Sequence, residues 1–159
     1  MQVFDASSMI HAWDNYPIEQ FPGLWNWMTD RVAQGLIQMS EVAVEEVGHK
    51  VPECVAWLKD AGLQKISVTE AILLEARRIK DLLEIEEERY GSGVDENDLI
   101  IIATAKLHGI ELVTNEAVQP VLPTQKRKYK IPAVCNIDTV KVPSLDFLQY
   151  LKRSETVFH

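Results

Sequence analysis

The sequence predicts an α/β fold, a three-layer α/β/α arrangement around a central parallel sheet. Two observations carry this prediction. Short apolar runs (MQVF, LIQM, KISV, IELVT) alternate with longer segments of helical period, the pattern of a parallel sheet covered by helices on both faces. The 159 residues suit one core-forming domain, and no repeat, low-complexity tract or linker divides them, so residues 1–159 read as a single domain. A chain that is 47% hydrophobic and 25% charged is globular rather than disordered. The start, MQVFDASSMIHAW, lacks a basic leader with a long apolar run, and no stretch is long enough to cross a bilayer. The expectation is a cytoplasmic protein. Cys54 and Cys135 lie far apart without metal-type spacing and read as small buried apolar residues.

Taken in order, MQVFD is a buried strand ending on a carboxylate, with Ser7 and Ser8 as candidates to cap the next helix. Pro22 and Gly23 mark a turn. LWNWMTDRVAQ then places Leu24, Trp27, Met28 and Val32 at helical spacing, with a stop at Gly35. LIQM stands where a second strand belongs. Beyond Ser40, Val44, Val47, Val51, Val55 and Leu58 recur at helical spacing, and Pro52 kinks this helix or begins a new one. KISV is a third strand or strand-like link. EAILLEARRIKDLLEIEEERYG reads as the clearest helix, with Ile72, Ala76, Ile79 and Leu83 on one face and a solvated acidic tail from Glu84 to Glu88. The link GSGVDE leads into NDLIIIATAKLHG, a helix buried on most sides, capped by Asn97 or Asp98 and ended by Gly109. IELVT is a strand, and the Pro- and Lys-rich stretch from Gln119 to Pro132 is a loop. A short helix near AVCNI, a strand VKV and a final helix SLDFLQYLKR complete the chain.

Several chemistries are set aside by residue type. There is no glycine-rich phosphate loop and no Gly-x-Ser-x-Gly elbow, and His11, His49, His108 and His159 show no paired metal-ligand spacing. What remains is a set of acids at strand ends and helix starts: Asp5, Glu45 and Glu46, Asp98, and Glu116. In a parallel sheet these positions collect at one edge. Carboxylates gathered there repel, and their proton affinities rise unless cations are present. Magnesium or manganese, held by a few carboxylates and several waters, resolves that conflict, activates a water and stabilises charge building on a phosphate. Taken singly, Asp98 and Glu116 read first as helix caps, because acids at helix starts complement the dipole. Asp5 differs, since a carboxylate that ends an apolar strand needs a partner or an ion. The net charge of -8 runs against a nucleic-acid binder, but bound cations invert the local field, and Lys126, Arg127, Lys128 and Lys130 cluster in one segment around Tyr129.

With these residues in view, VFDASSMI resembles the opening motif of PIN-domain nucleases, an apolar strand ending Asp-x-Ser/Thr. NDLIIIATAKLHGIELVTNE resembles their third and fourth motifs together: an acid, an Ile/Ala/Thr-rich helix, a Gly, a strand ending in Thr, and an acid. FPGLWNWM and IPAVCNI…LDFL are similar to a PIN-like toxin subfamily of bacterial toxin–antitoxin systems, VapC-like. The resemblance implies Asp5, Glu46, Asp98 and Glu116 as catalytic, metal-binding acids for Mg2+ or Mn2+, with Ser7 in support and Glu45 as the adjacent rival of Glu46. The fourth acid stands two residues after the strand-ending Thr114; it is Glu here where the family usually has Asp, so its reach is longer, and Asn115 can share the role.

The activity implied is an endoribonuclease that cleaves RNA with a metal-activated water, leaving a 3′-hydroxyl and a 5′-phosphate. Lys126, Arg127 and Lys128 are candidate phosphate contacts and Tyr129 a candidate base-stacking ring, beside their reading as a solvated basic loop. The implied partners are RNA, a cognate antitoxin and a second copy of the chain. Trp13, Trp25 and Trp27 would serve either the core or such a surface. Two other readings stay open: a catalytically inactive PIN-like module that binds RNA or protein, and a receiver-type phosphoacceptor, which would need an acidic pair that is missing after strand one.

Overall fold

The structure, a computed structural model, describes every residue from Met1 to His159. Its frame is a five-stranded, wholly parallel sheet in the order β3-β2-β1-β4-β5. The strands are β1 (Gln2–Phe4), β2 (Ile37–Ser40), β3 (Lys65–Ile66), β4 (Glu111–Val113) and β5 (Ser144–Leu145). Eight helices join them: α1 (Ala6–Asn15), α2 (Pro22–Ala33), α3 (Glu41–Lys50), α4 (Pro52–Asp60), α5 (Glu70–Leu82), α6 (Glu96–His108), α7 (Ile131–Cys135) and α8 (Phe147–Ser154). No helix is long and apolar enough to cross a membrane. The predicted three-layer α/β/α class is therefore the observed one.

The strand order matters for function. From β1 the chain runs outward through β2 to β3, then crosses back to lay β4 on the other side of β1. Right-handed crossovers in opposite directions put their helices on opposite faces. The strand order thus reverses between β1 and β4, whose carboxyl ends lie side by side: Phe4 pairs with Val113, which makes Asp5 and Thr114 neighbours. Open α/β sheets bind ligands at such a crevice.

The core explains why the sequence chooses these elements. Val3 and Phe4, Ile37 and Met39, and Leu112 and Val113 are all buried, as strands covered on both faces require. In α6 seven consecutive residues, Leu99 to Ala105, are buried, because this helix packs against α5, α3, α7 and the sheet. Gly109 ends α6 in the left-handed region, at φ 62° and ψ 36°.

Four local expectations are corrected, and the choice left open at Pro52 is decided. The cap of α1 is Asp5 itself, whose side chain accepts from the Ser8 amide, so Ser7 and Ser8 lie in the first turn. Pro22 is the first residue of α2 rather than part of a turn, its fixed φ and missing N–H suiting that position. Pro52 begins a new helix, α4. The helix α5 stops before the acidic tail: Leu83 caps it, and Glu84 and Glu87 take positive φ, 58° and 51°, which no helix admits. VKV is not a strand. Val140 and Val142 are buried but Lys141 sits at φ 47°, and the sheet edge is closed instead by Ser144–Leu145.

Between α5 and α6 the link passes under the loop that carries the basic segment. A Cβ on Gly93 would lie 2.4 Å from the Tyr129 carbonyl oxygen, and the Val94 amide donates to that same oxygen at 2.9 Å. Only a glycine permits this approach.

Candidate functional site

Asp5 follows β1 and is 2% exposed. Its carboxylate is held entirely by donors of neighbouring segments. Oδ1 accepts from the Ser8 amide at 2.8 Å and from Ser7 Oγ at 2.9 Å. Oδ2 accepts from Thr114 Oγ1 at 2.6 Å and lies 2.8 Å from Ser7 Oγ. Those hydroxyls are themselves oriented. The Asn115 amide donates to Ser7 Oγ at 2.9 Å, and the Glu116 amide to Thr114 Oγ1 at 3.1 Å. Burial pushes the Asp5 carboxyl above its ordinary value of 3.8, against the pull of these donors.

Asp98 stands in the first turn of α6. The cap of that helix is Asp95, and the two form a reciprocal capping box: the Asp98 amide donates to Asp95 Oδ1 at 2.9 Å, and the Asp95 amide to Asp98 Oδ2 at 3.0 Å. Asn97 is therefore not the cap. Its Nδ2 instead reaches Glu46 Oε1 on α3, at 3.0 Å. Burial, together with the charges of Asp95, Glu116 and Glu46, pushes the Asp98 carboxyl up to about 8.

The four acids Asp5, Glu46, Asp98 and Glu116 border one open cleft of about 410 Å³. Ser7 and Asn115 line it too, the latter with its Oδ1 accepting from the Phe147 amide at 3.1 Å. Glu45 is turned elsewhere, to a recess on the far side of α3 with His49, Lys59 and Lys65. The helix thus presents Glu46 and not Glu45 to the cleft. Glu116 is partly exposed, and its Oε2 lies 3.9 Å from Lys130 Nζ.

Sequence reasoning missed four further polar residues of this cleft. His11, Asp14 and Asn15 come from α1 and Lys50 from the last turn of α3. The signal was present in the spacing, since His11 follows Ser7, and Lys50 follows Glu46, by one helical turn of four residues.

Of the basic segment, Lys126–Lys128 lie apart from the cleft, while Lys130 approaches Glu116 at its border. Lys126–Lys128 form one turn of 3₁₀ helix, and Lys126 and Arg127 border a recess shared with Glu84, Glu86 and Arg89. Tyr129 is half-buried against the core. The tryptophans serve packing: Trp25 is buried, while Trp13 and Trp27 are half-buried among aromatic neighbours, Trp13 on Trp25 and Trp57, and Trp27 on Tyr150 and Phe158. Both cysteines are buried free thiols, as expected.

No three His, Cys, Asp or Glu side chains stand close enough to ligate one ion as they are arranged. Each acid is turned to a protein donor instead: Asp5 to hydroxyls, Glu46 to Asn97, Asp98 to its own helix start, Glu116 toward Lys130. The donor set itself fits a hard divalent cation, being oxygen only and anionic. Burial lifts Asp98 most, and the charges of Asp95, Glu116 and Glu46 add a repulsion that such a cation would relieve.

Residues 2–158 match the family described as Domain of unknown function (DUF4411). No curated protein matches the sequence. Among solved structures, the fold is similar to a chain of VapBC2 from Rickettsia felis bound to a DNA fragment from their promoter. That likeness has a TM-score of 0.58 and 16% identity, and covers 92% of this chain and 98% of that one. A chain of a toxin–antitoxin complex from Klebsiella pneumoniae is similar at a TM-score of 0.47 and 20% identity, over 73% of this chain and 87% of that one. The likeness to the VapBC2 chain carries the fold, and the fold is the PIN-like one that the motifs implied.

Proposed function

This chain belongs to the DUF4411 family, and we propose that it is a metal-dependent endoribonuclease acting as the toxin of a toxin–antitoxin pair. One observation carries the reading: four carboxylates from four separate segments border one cleft at the point where the strand order reverses. Asp5, Glu46, Asp98 and Glu116 would hold Mg2+ or Mn2+, with Glu116, the longer acid, reaching through water. Held there, the cation would supply an activated water at neutral pH and stabilise charge on the phosphate under attack. Ser7 and Thr114 fix the Asp5 carboxylate in one orientation through their hydroxyls. Asn97 steadies Glu46, which ties α3 to the start of α6. The products are a 3′-hydroxyl and a 5′-phosphate. The antitoxin partner and the toxin role rest on the resemblance of FPGLWNWM and IPAVCNI…LDFL to PIN-like toxins, and the likeness to the VapBC2 chain is in keeping with them.

The test is cleavage of single-stranded RNA by the purified chain with Mg2+ or Mn2+. Asp5→Asn and Asp98→Asn lower it by well over the roughly 10–100-fold that changes to supporting residues cost, while both proteins stay folded. Cleavage that survives both changes ends the reading. A second reading, a PIN-like module that binds without cleaving, is favoured by the dispersed acids and by Glu at the fourth position. Calorimetric titration with millimolar metal separates the two: no heat above dilution supports the silent module.

A further inference from the structure

We infer that Lys50, with His11 on the same cleft, is the contact for substrate phosphate among the acids, in place of the exposed segment Lys126–Lys128. This inference rests on the nuclease reading above. The cleft is bordered by five carboxylates, Asp14 being the fifth, and by the ammonium of Lys50, while that of Lys130, 3.9 Å from Glu116, is already paired. A lysine in such company ordinarily pairs with one of the acids. Lys50 does not: no carboxylate oxygen lies within 4.0 Å of its Nζ, and it makes no side-chain hydrogen bond, although Glu46 is one turn back on the same helix. Its three donors are therefore free, at the rim of a site whose acids exclude anions everywhere else.

His11 adds a second donor from α1. Asn15 Nδ2 donates to the His11 carbonyl at 3.0 Å, which fixes the amide orientation, and stands 3.3 Å from His11 Nδ1. An amide nitrogen only donates, so in this contact Nδ1 accepts and the ring N–H is on Nε2. No protein group accepts from that Nε2. The ring is held edge-on against Tyr16 and tilted on Phe147, with centroids 6.4 and 6.3 Å away. The segment Lys126–Lys128, by contrast, borders a recess that already contains Glu84 and Glu86, and it lines no part of the acidic cleft. An RNA strand whose scissile phosphate lay at the acids would place a flanking phosphate on Lys50 and His11. Backbone contacts of this kind fix register without reading sequence.

The experiment measures steady-state RNA cleavage and its salt dependence for the wild type, Lys50→Ala, Lys50→Arg, His11→Ala and the triple change of Lys126, Arg127 and Lys128 to Ala. Lys50→Ala raises KM by about tenfold with kcat little changed, as the loss of one charge-assisted contact does. It also lowers the slope of log affinity against log salt by about 0.7, one phosphate contact on a single strand. Lys50→Arg restores both, His11→Ala gives a smaller rise in KM, and the triple change costs less than Lys50→Ala. Lys50 is exposed, so the melting temperature of Lys50→Ala stays at the wild-type value. Wild-type KM and salt slope in Lys50→Ala overturn the inference. If the wild type cleaves nothing, the nuclease reading fails, and binding of a labelled single-stranded RNA to the same proteins with Mg2+ decides this one alone: binding weakened by Lys50→Ala upholds it, and equal binding overturns it.

Discussion

Asp5 and Asp98 border the same cleft and both have carboxyls lifted above the usual range, yet they are lifted differently. Asp5 is enclosed by neutral donors, two hydroxyls and a backbone amide, that favour its charged form while burial opposes it. Asp98 is less enclosed, and the charges of Asp95, Glu116 and Glu46 work with burial to disfavour ionisation. Burial lifts both acids; at Asp5 neutral donors pull against it, and at Asp98 the neighbouring charges add to it. If a cation binds here, it gains most from Asp98, where it removes a repulsion, and is oriented most by Asp5, which cannot turn.

Glu46, whose charge raises Asp98 and whose Oε1 is held by Asn97, should show the largest effect. Glu46→Gln should lower RNA cleavage at least about 100-fold if it is a ligand, while Glu45→Gln, facing the other side of α3, should leave cleavage within about twofold; the scale is the roughly 10–100-fold lost when a residue that only orients a ligand is changed. Equal losses would mean that α3 presents its other face to the substrate.

Next comes the architecture around Asp5. Asp5→Ala removes the cap of α1 and strands the Thr114 and Ser7 hydroxyls and the Ser8 amide. It should cost about 2–4 kcal/mol in denaturant unfolding, from a lost cap and unpaired buried donors. A cost near zero would show that the donors find other partners and that the Asp5 carboxylate was a burden to the fold.

Asp98 makes a prediction with a definite sign. The folded-state value of about 8 lies above the ordinary 3.8, so between these values the folded chain keeps a proton that the unfolded chain has lost. The stability contributed by Asp98 is full below about pH 4, falls as pH rises through the window and levels off above about 8. In EDTA, the melting temperature of Asp98→Asn at about pH 8 should exceed that of the wild type by at least about 3 °C, the shift expected from a kcal/mol in a chain of this size. The gain should shrink toward about pH 4, and millimolar Mg2+ should narrow it at high pH by stabilising the wild type. A gain independent of pH would mean that Asp98 is not strained by its neighbours.

Much of this was legible in the sequence, for physical reasons that differ by element. Phe4-Asp5 and Val113-Thr114 read as strand ends because apolar residues stop abruptly at polar ones, and the parallel sheet then fixes them side by side. The buried helix α6 declared itself through Leu99 to Ala105, a run too apolar for any surface. What failed were features set by single backbone angles. VKV alternates like a strand, but Lys141 turns left-handed; the acidic tail of α5 has helical composition, but Glu84 breaks it. The cap of α6 was missed because Asp95, Asn97 and Asp98 are all good cap residues, and only the fold decides which one caps while another reaches Glu46. Lys50 escaped notice because an isolated lysine at the end of a helix is what the helix dipole favours anyway.

The passage of Gly93 beneath the Tyr129 backbone has a kinetic consequence. Because the Val94 amide is bonded to the Tyr129 carbonyl, the turn leading to Asp95 and the segment 126–130 cannot open independently. They should behave as one unit of local unfolding, with the amides of Val94 and Tyr129 exchanging their hydrogens at matched rates. Loosening the basic loop would then unsettle the first turn of α6, and with it the acid that depends most on its neighbours.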